Sequence, residues 1–357
     1  MQRMLFSRFA ISCVFLVACG RSTIDASEPG PGTGSTIQGN GGTTSAARGP
    51  CDIYAAEGGP CVAAHSTVRA LLGAYNGPLY QIKKADGTTN DIGVVAPGGF
   101  ANSATQDAFC GADACVISMI YDQSGRGNHL TPVGSLAEMR KAPLGFQANA
   151  MALKLSIGGH TVYGVHIVSG FGYRSNTCNG TAMTDNPETI YMVTSVDDSS
   201  NGCCFEYGNV ETSDISRDRA GQAEAVYVGN GSTWGKGAGS GPWVMADLGV
   251  GMWAGNTNPN NQNTPVTYAY VTAMVKGDKT RANHWTIKAG NAQSGSLTTP
   301  FDGPRPDASY NPMNKQGAII LGTDSGDFFE GLMTAHYSSN AADDAVQANI
   351  VTAGYGQ

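Results

Sequence analysis

Seven short runs of β-branched and aromatic residues, each closed by Gly, Asn or Asp, constrain this chain more than any other feature. They are ACVISMIYD (114–122), TIYMVTSVD (189–197), AEAVYVGN (223–230), PWVMADLG (242–249), VTYAYVTAMVKG (266–277), HWTIKAG (284–290) and GAIILGTD (317–324). Runs of this length between turn residues read as strands. Many short strands with turn-rich connections imply an all-β fold, a β-sandwich or jelly roll with a few short helices packed outside. Two stretches read as helix: AAHSTVRALLGAY (63–75), with Ser66 as a cap, and AADDAVQANIVTAGYG (341–356).

Charge excludes one class of partner. The chain carries 21 Lys and Arg against 28 Asp and Glu, a net charge of -7, and shows no basic stripe, so nucleic acid is not expected. Low charge with 49 Gly and many Asn, Ser and Thr suits a loop-rich β protein that handles neutral polar ligands.

The first nineteen residues, MQRMLFSRFAISCVFLVAC, place Arg3 and Arg8 before an apolar run and Leu16-Val17-Ala18-Cys19 after it, which reads as a bacterial secretion signal. Small residues before Cys19 resemble a lipoprotein signal, in which Cys19 becomes the lipidated first residue. A plain signal peptide and a short membrane helix are the rival readings, the latter disfavoured by length. Residues 20–49 are Gly, Ser, Thr and Pro with little to bury, and are expected to tether the anchor to a single domain over 50–357. The expected location is extracytoplasmic, secreted or lipid-anchored to the bacterial envelope, with the membrane touched only through the lipid. A monomer is expected.

With Cys13 and Cys19 in the leader, seven of nine cysteines remain in the domain, where export makes disulfides the default. Cys51 with Cys61 and Cys110 with Cys115 are close pairs, each worth roughly 2 to 3 kcal/mol as a loop staple. Cys178, Cys203 and Cys204 are left. Metal is not expected, because no second close Cys or His pair accompanies them. YDQSGRGNH (121–129) has oxygen ligands but not the spacing of a calcium loop, and reads as a turn. Adjacent Cys203 and Cys204 join only through a strained eight-membered ring, so on the residues alone they are bonded elsewhere or free.

The blocks CDIYAAEGGPCVAAHSTVRAL, ISMIYDQSGRGNHL, CCFEYGN, STWGKGAGSGPWVMADL, SYNPMNKQGAIILG and FFEGLMT occur in order from Cys51 almost to the end of the chain. Together they resemble the catalytic domain of glycoside hydrolase family 54, the α-L-arabinofuranosidase B type. The resemblance implies a concanavalin-like two-sheet β-sandwich and a retaining, exo-acting enzyme that removes terminal α-L-arabinofuranosyl groups from arabinan or arabinoxylan, with no cofactor. Family members often carry an arabinose-binding trefoil module after this domain; the sequence ends at Gln357, and no such module is expected here. The expected ligand is an arabinose-containing polysaccharide or oligosaccharide.

Such an enzyme needs two carboxyl groups about 5 to 5.5 Å apart, one to attack the anomeric carbon and one to protonate the leaving oxygen. The family nucleophile is a Glu in a segment that corresponds to WVMADLGVG (243–251), where Gly249 takes its place and Val250 that of the following Asn. The family proton donor is the Asp of a Gly-Gly-Asp turn shortly after the AIILG strand. In the shortened ILGTDSGDFFEG both Asp327 and Asp324 are open, with Gly326-Asp327 matching the dipeptide. The resemblance makes Asp247, Trp234 and Gly326 sugar-binding positions. It also implies a vicinal Cys203–Cys204 bridge whose flat apolar face meets the furanose ring.

In a strand, residues two apart share a face. Asp247 and position 249 are therefore expected to point together into the cleft, with room at Gly249 for a carboxylate, and Gly249→Glu is expected to raise activity. As substitutes for the nucleophile Asp247 is nearest in sequence, while Glu206, Glu211 and Glu224 lie on adjacent strands or turns, though each glutamate also reads as an ordinary surface or hydrogen-bonding carboxylate. His65 and His129 read as structural, with no Ser or Cys nucleophile in register. Cys178 is left as a free thiol or an intermolecular bridge. Two functions follow: an arabinofuranosidase working through a replacement carboxylate, or an arabinofuranose-binding surface lipoprotein that has lost the chemistry.

Overall fold

Alternating side chains give each strand two faces, and here many strands are buried on both. The structure is a computed structural model that describes residues 48–134, 147–196, 204–212, 219–281 and 283–357. Residues 45–357 form one compact unit. The leader, Cys19, nearly all of the 20–49 linker and Cys203 lie outside the described residues.

The strands are β1 (Cys61–Ser66), β2 (Pro78–Lys84), β3 (Thr89–Gly93), β4 (Cys115–Ile120), β5 (Thr131–Gly134), β6 (Leu153–Ile157), β7 (His160–Ile167), β8 (Phe171–Ser175) and β9 (Glu188–Ser195). They continue with β10 (Phe205–Val210), β11 (Glu224–Gly229), β12 (Trp243–Asp247), β13 (Met252–Trp253), β14 (Tyr270–Asp278), β15 (His284–Asn291), β16 (Ser294–Pro304), β17 (Ala318–Thr323) and β18 (Gly326–Thr334). The helices are α1 (Pro50–Ala56), α2 (Ser103–Cys110) and α3 (Asn340–Ala353). One antiparallel sheet runs β16-β15-β14-β9-β18-β7-β6 with β1 also on β18; a second runs β13-β12-β11-β10-β17-β8-β5; a small third runs β3-β2-β4. The first two pack face to face as the expected β-sandwich, and all seven sequence-read runs fall in strands.

The reading of 63–75 as a helix is overturned. Residues 61–66 are β1, buried throughout and paired with β18 from Cys61 opposite Thr334 to Ser66 opposite Glu330. Ser66 does make cap-like bonds, its Oγ accepting the N–H groups of Val68 and Arg69 at 3.1 Å each. No helix follows, because ladder pairing outweighs a local capping preference. The closing helix is present as α3, capped by Ser339 Oγ on Ala342 N–H.

Two anchors hold the sheets together. Tyr207 of β10 points inward, its hydroxyl 2.8 Å from His65 Nδ1 and its ring 5.3 Å from that of Phe328. The other anchor is ionic: Lys315, fully buried, donates to Glu188 of β9 at 2.8 Å and to Glu224 of β11 at 2.7 Å, one carboxylate from each sheet. Gly277 of β14 makes room for it, since a Cβ there would stand 2.3 Å from Glu224 Oε2.

Removing the lysine strands the buried Glu224 carboxylate and leaves Glu188 without its donor, so Lys315→Ala should cost about 3 to 5 kcal/mol in denaturant unfolding. Burial pushes the Glu188 carboxyl up to about 8 against the pull of Lys315. It therefore keeps in the folded state a proton that the unfolded chain has lost, and its contribution to stability falls as pH rises from about 4.5 to about 8. Glu188→Gln should flatten that part of a melting-temperature profile against pH.

Candidate active site

Because Tyr207 faces the core, Cys204 and Glu206 face the opposite, outer side of the second sheet. The ladder carries that face across β11 and β12: Glu206 pairs with Tyr227, Tyr227 with Met245, and Ala225 with Asp247. Cys204, Tyr227, Trp243, Met245, Met252 and Ala254 form an apolar floor. Gly208 and Ala225, paired on β10 and β11, contribute at most a methyl, so longer side chains converge above them. A Cys204 sulfur, a Glu206 oxygen and an Asp247 oxygen lie within 4.8 Å of one another, and Cys204 Sγ is 3.6 Å from Asp247 Oδ2. Cys204 is disulfide-bonded. Its partner and the expected Cys203 bridge lie outside the described residues. A disulfide sulfur is not a thiolate, so this cluster offers a cation two carboxylates rather than three ligands.

The turn after Asp247 departs from expectation. β12 ends at Asp247, and Gly249 adopts φ +95°, donating its N–H to Asp247 Oδ1 at 2.7 Å. A Cβ on Gly249 would sit 2.3 Å from the Arg219 carbonyl oxygen and about 3 Å from the Gln222 and Ala223 nitrogens. The shared face of 247 and 249 is thus overturned: past the strand end the period of two no longer applies, and position 249 points into backbone. Trp234 covers the same turn, its Cγ 2.6 Å from where a Gly251 Cβ would stand, and is 38% exposed, open to a ligand. Tyr310, held by Trp253 Nε1 at 3.0 Å and donating to the Val250 carbonyl, closes the turn from below. Burial, with some help from the Asp247 charge, pushes the Tyr310 phenol up.

The two acid candidates separate. The β10–β17 ladder ends with Phe205 opposite Thr323, and one step beyond it stand Cys204 and Asp324. Asp324 Oδ1 accepts the Ser325 N–H at 2.8 Å. Gly326 opens β18 in the other sheet and faces inward, where a Cβ would stand 2.3 Å from the Phe205 ring. Asp327 therefore points outward from that other sheet, held by His166 Nδ1 at 2.9 Å and Ser195 Oγ at 2.7 Å. Asp327 and Gly326 thus start a strand of the first sheet, whereas Asp247 ends a strand of the second.

Residues 50–356 match the family model described as "Alpha-L-arabinofuranosidase B, catalytic". The chain belongs to the α-L-arabinofuranosidase B catalytic family. It is 49% identical over 324 residues to a "Probable alpha-L-arabinofuranosidase B" of Aspergillus terreus, covering 87% of this chain and 63% of that relative. It is 48% identical over 322 residues to an "Alpha-L-arabinofuranosidase" of Hypocrea jecorina, again covering 87% and 63%. The chain thus spans somewhat under two thirds of these relatives' length. Among solved structures, an arabinofuranosidase complexed with arabinofuranosyl-α-1,2-xylobiose superposes with TM-score 0.79 at 44% identity, covering 86% of this chain and 66% of that one. A Glu→Gln mutant of a glycoside hydrolase family 54 α-L-arabinofuranosidase soaked with 4-nitrophenyl α-L-arabinofuranoside gives the same values.

The remaining candidates in this arabinofuranosidase B domain are structural. Glu224 belongs to the Lys315 anchor, and Glu211 faces Arg174 at 3.5 Å. His65 bridges Tyr207 and the Asn128 carbonyl, while His129 Nδ1 accepts the Asp122 N–H at 2.9 Å. Asp122 ties the 121–129 turn by accepting from Ala64, Ser124 and Asn128. Cys51–Cys61 and Cys110–Cys115 are bonded as expected. Cys178 is a free thiol that donates to the Ser175 carbonyl, its pKa raised by burial. Tyr310 and Tyr227 escaped sequence reasoning, since tyrosines in strands and turns carry no motif. Gly249→Glu should lower the melting temperature, by strain and overpacking of roughly 1 to 3 kcal/mol, and leave turnover no higher than in the parent.

Proposed function

We propose that the domain recognises terminal α-L-arabinofuranosyl groups of arabinan- or arabinoxylan-type chains and acts on them as an exo-arabinofuranosidase, releasing L-arabinose. The observation that carries this reading is the convergence of the disulfide-bonded Cys204 sulfur with the Asp247 carboxylate, beside the exposed Trp234. A bridge from Cys204 to Cys203 would offer an apolar platform to the sugar ring, Asp247 would present its carboxyl group to the sugar's oxygens, and Trp234 would stack on its carbon face. The disulfides and the leader support action outside the cytoplasm, with Cys19 as the proposed lipid attachment.

A second reading, recognition without cleavage in an arabinofuranose-binding lipoprotein, is favoured by the closed backbone at Gly249. Both are tested by titrating the purified protein with an arabinofuranosyl oligosaccharide while following phenol release from 4-nitrophenyl α-L-arabinofuranoside. The enzyme reading expects saturable binding and steady release; binding alone would leave the second reading. Trp234→Ala should weaken binding roughly fivefold or more, about 1 kcal/mol of lost aromatic contact, and unchanged affinity would remove Trp234 from the site.

A further inference from the structure

We propose that Glu206 is the nucleophile of this site, in place of the carboxylate that position 249 lacks. The inference rests on the arabinofuranoside reading above and names the residue that makes cleavage possible.

Position 249 offers no carboxylate and directs its Cα substituent into the Arg219 carbonyl. The displacement therefore has to come from a side chain that reaches the sugar from elsewhere. Glu211 faces Arg174, and Glu224 is locked between the sheets by Lys315, so neither reaches the outer face near Asp247. Glu206 does. It lies on the outer face of β10, and its carboxylate comes within 4.8 Å of the sulfur of Cys204, which precedes that strand. Gly208 and Ala225 leave the space between β10 and β12 open to it.

Spacing supports a reacting pair. The nearest ligand oxygens of Glu206 and Asp247 lie within 4.8 Å. Retaining glycosidases hold their carboxyl groups about 5 to 5.5 Å apart, whereas inverting ones need about 6.5 Å or more to admit a water. Burial divides the roles. Glu206 is nearly enclosed at 7% exposure, near the Cys204 sulfur, while Asp247 is half-buried at the strand end. The enclosed carboxylate suits attack on the ring from its platform side. The more open one suits exchange of a proton with the leaving group and with water.

In the first step Glu206 Oε bonds to the anomeric carbon as the bond to the leaving oxygen breaks, and that oxygen takes a proton from the Asp247 carboxyl. In the second, water attacks the anomeric carbon and gives its proton to Asp247. The ester bond to Glu206 breaks, and L-arabinose leaves with its configuration retained.

The test uses the whole protein with 4-nitrophenyl α-L-arabinofuranoside and an arabinofuranose cyclic sulfate as an electrophilic probe. Mass spectrometry of the labelled protein should place the adduct on the peptide carrying Glu206. Glu206→Gln should lose on the order of a thousandfold in turnover while arabinofuranoside binding stays within a few-fold of the parent. Glu206→Ala with azide should release β-L-arabinofuranosyl azide, the inverted product that an emptied nucleophile position gives. An adduct on another carboxylate, or full turnover in Glu206→Gln, would overturn the proposal. Binding without turnover in the parent would overturn it as well, yet leave recognition of the sugar standing. Absence of binding would remove the arabinofuranoside reading, and this inference with it.

Discussion

One hydrogen bond sets the faces of this molecule. Tyr207 commits its side chain to His65 in the interior, and the strand period of two then obliges Cys204 and Glu206 to face the outside. A slip of one residue in β10 would bury the carboxylate and the disulfide and expose the phenol. The pairing of β10 with β17 over six residues makes such a slip costly. His65 is itself fixed by the Asn128 carbonyl, so a turn held by Asp122 reaches through the core to orient a carboxylate on the far side.

The site is shaped as much by small residues as by functional ones. Gly208 and Ala225 make the saddle over which Glu206 and Asp247 meet, and Gly251 admits the Trp234 ring. Polar groups that elsewhere form surface carboxylates are drawn into the sandwich instead. Lys315, Glu188 and Glu224 tie the sheets from within, leaving Glu206 and Asp247 together outside the sandwich core.

Legibility followed the range of the forces involved. The strand runs could be read because β-branched residues between turn residues report a local preference, and the short disulfide loops because their partners are close in sequence. β1 could not, because its pairing with β18 spans more than 260 residues, beyond what the local pattern around Ser66 reports. In the site, Cys204, Trp234 and Asp247 were visible as parts of recognisable blocks. The direction of position 249 was not, since it depends on a left-handed turn that forms against Arg219. Nor could the Gly326-Asp327 dipeptide announce that it begins a strand of the other sheet, where Asp327 pairs with His166.

The Gly249 turn also works as a ratchet. Once the backbone has taken a conformation that side chains resist, and has settled against a neighbouring carbonyl, no single substitution at position 249 can seat a side chain there. The loop around Arg219 and the turn would have to move together, each change harmful without the other. The saddle between β10 and β12, floored by Gly208 and Ala225, is by contrast where side chains have room to change.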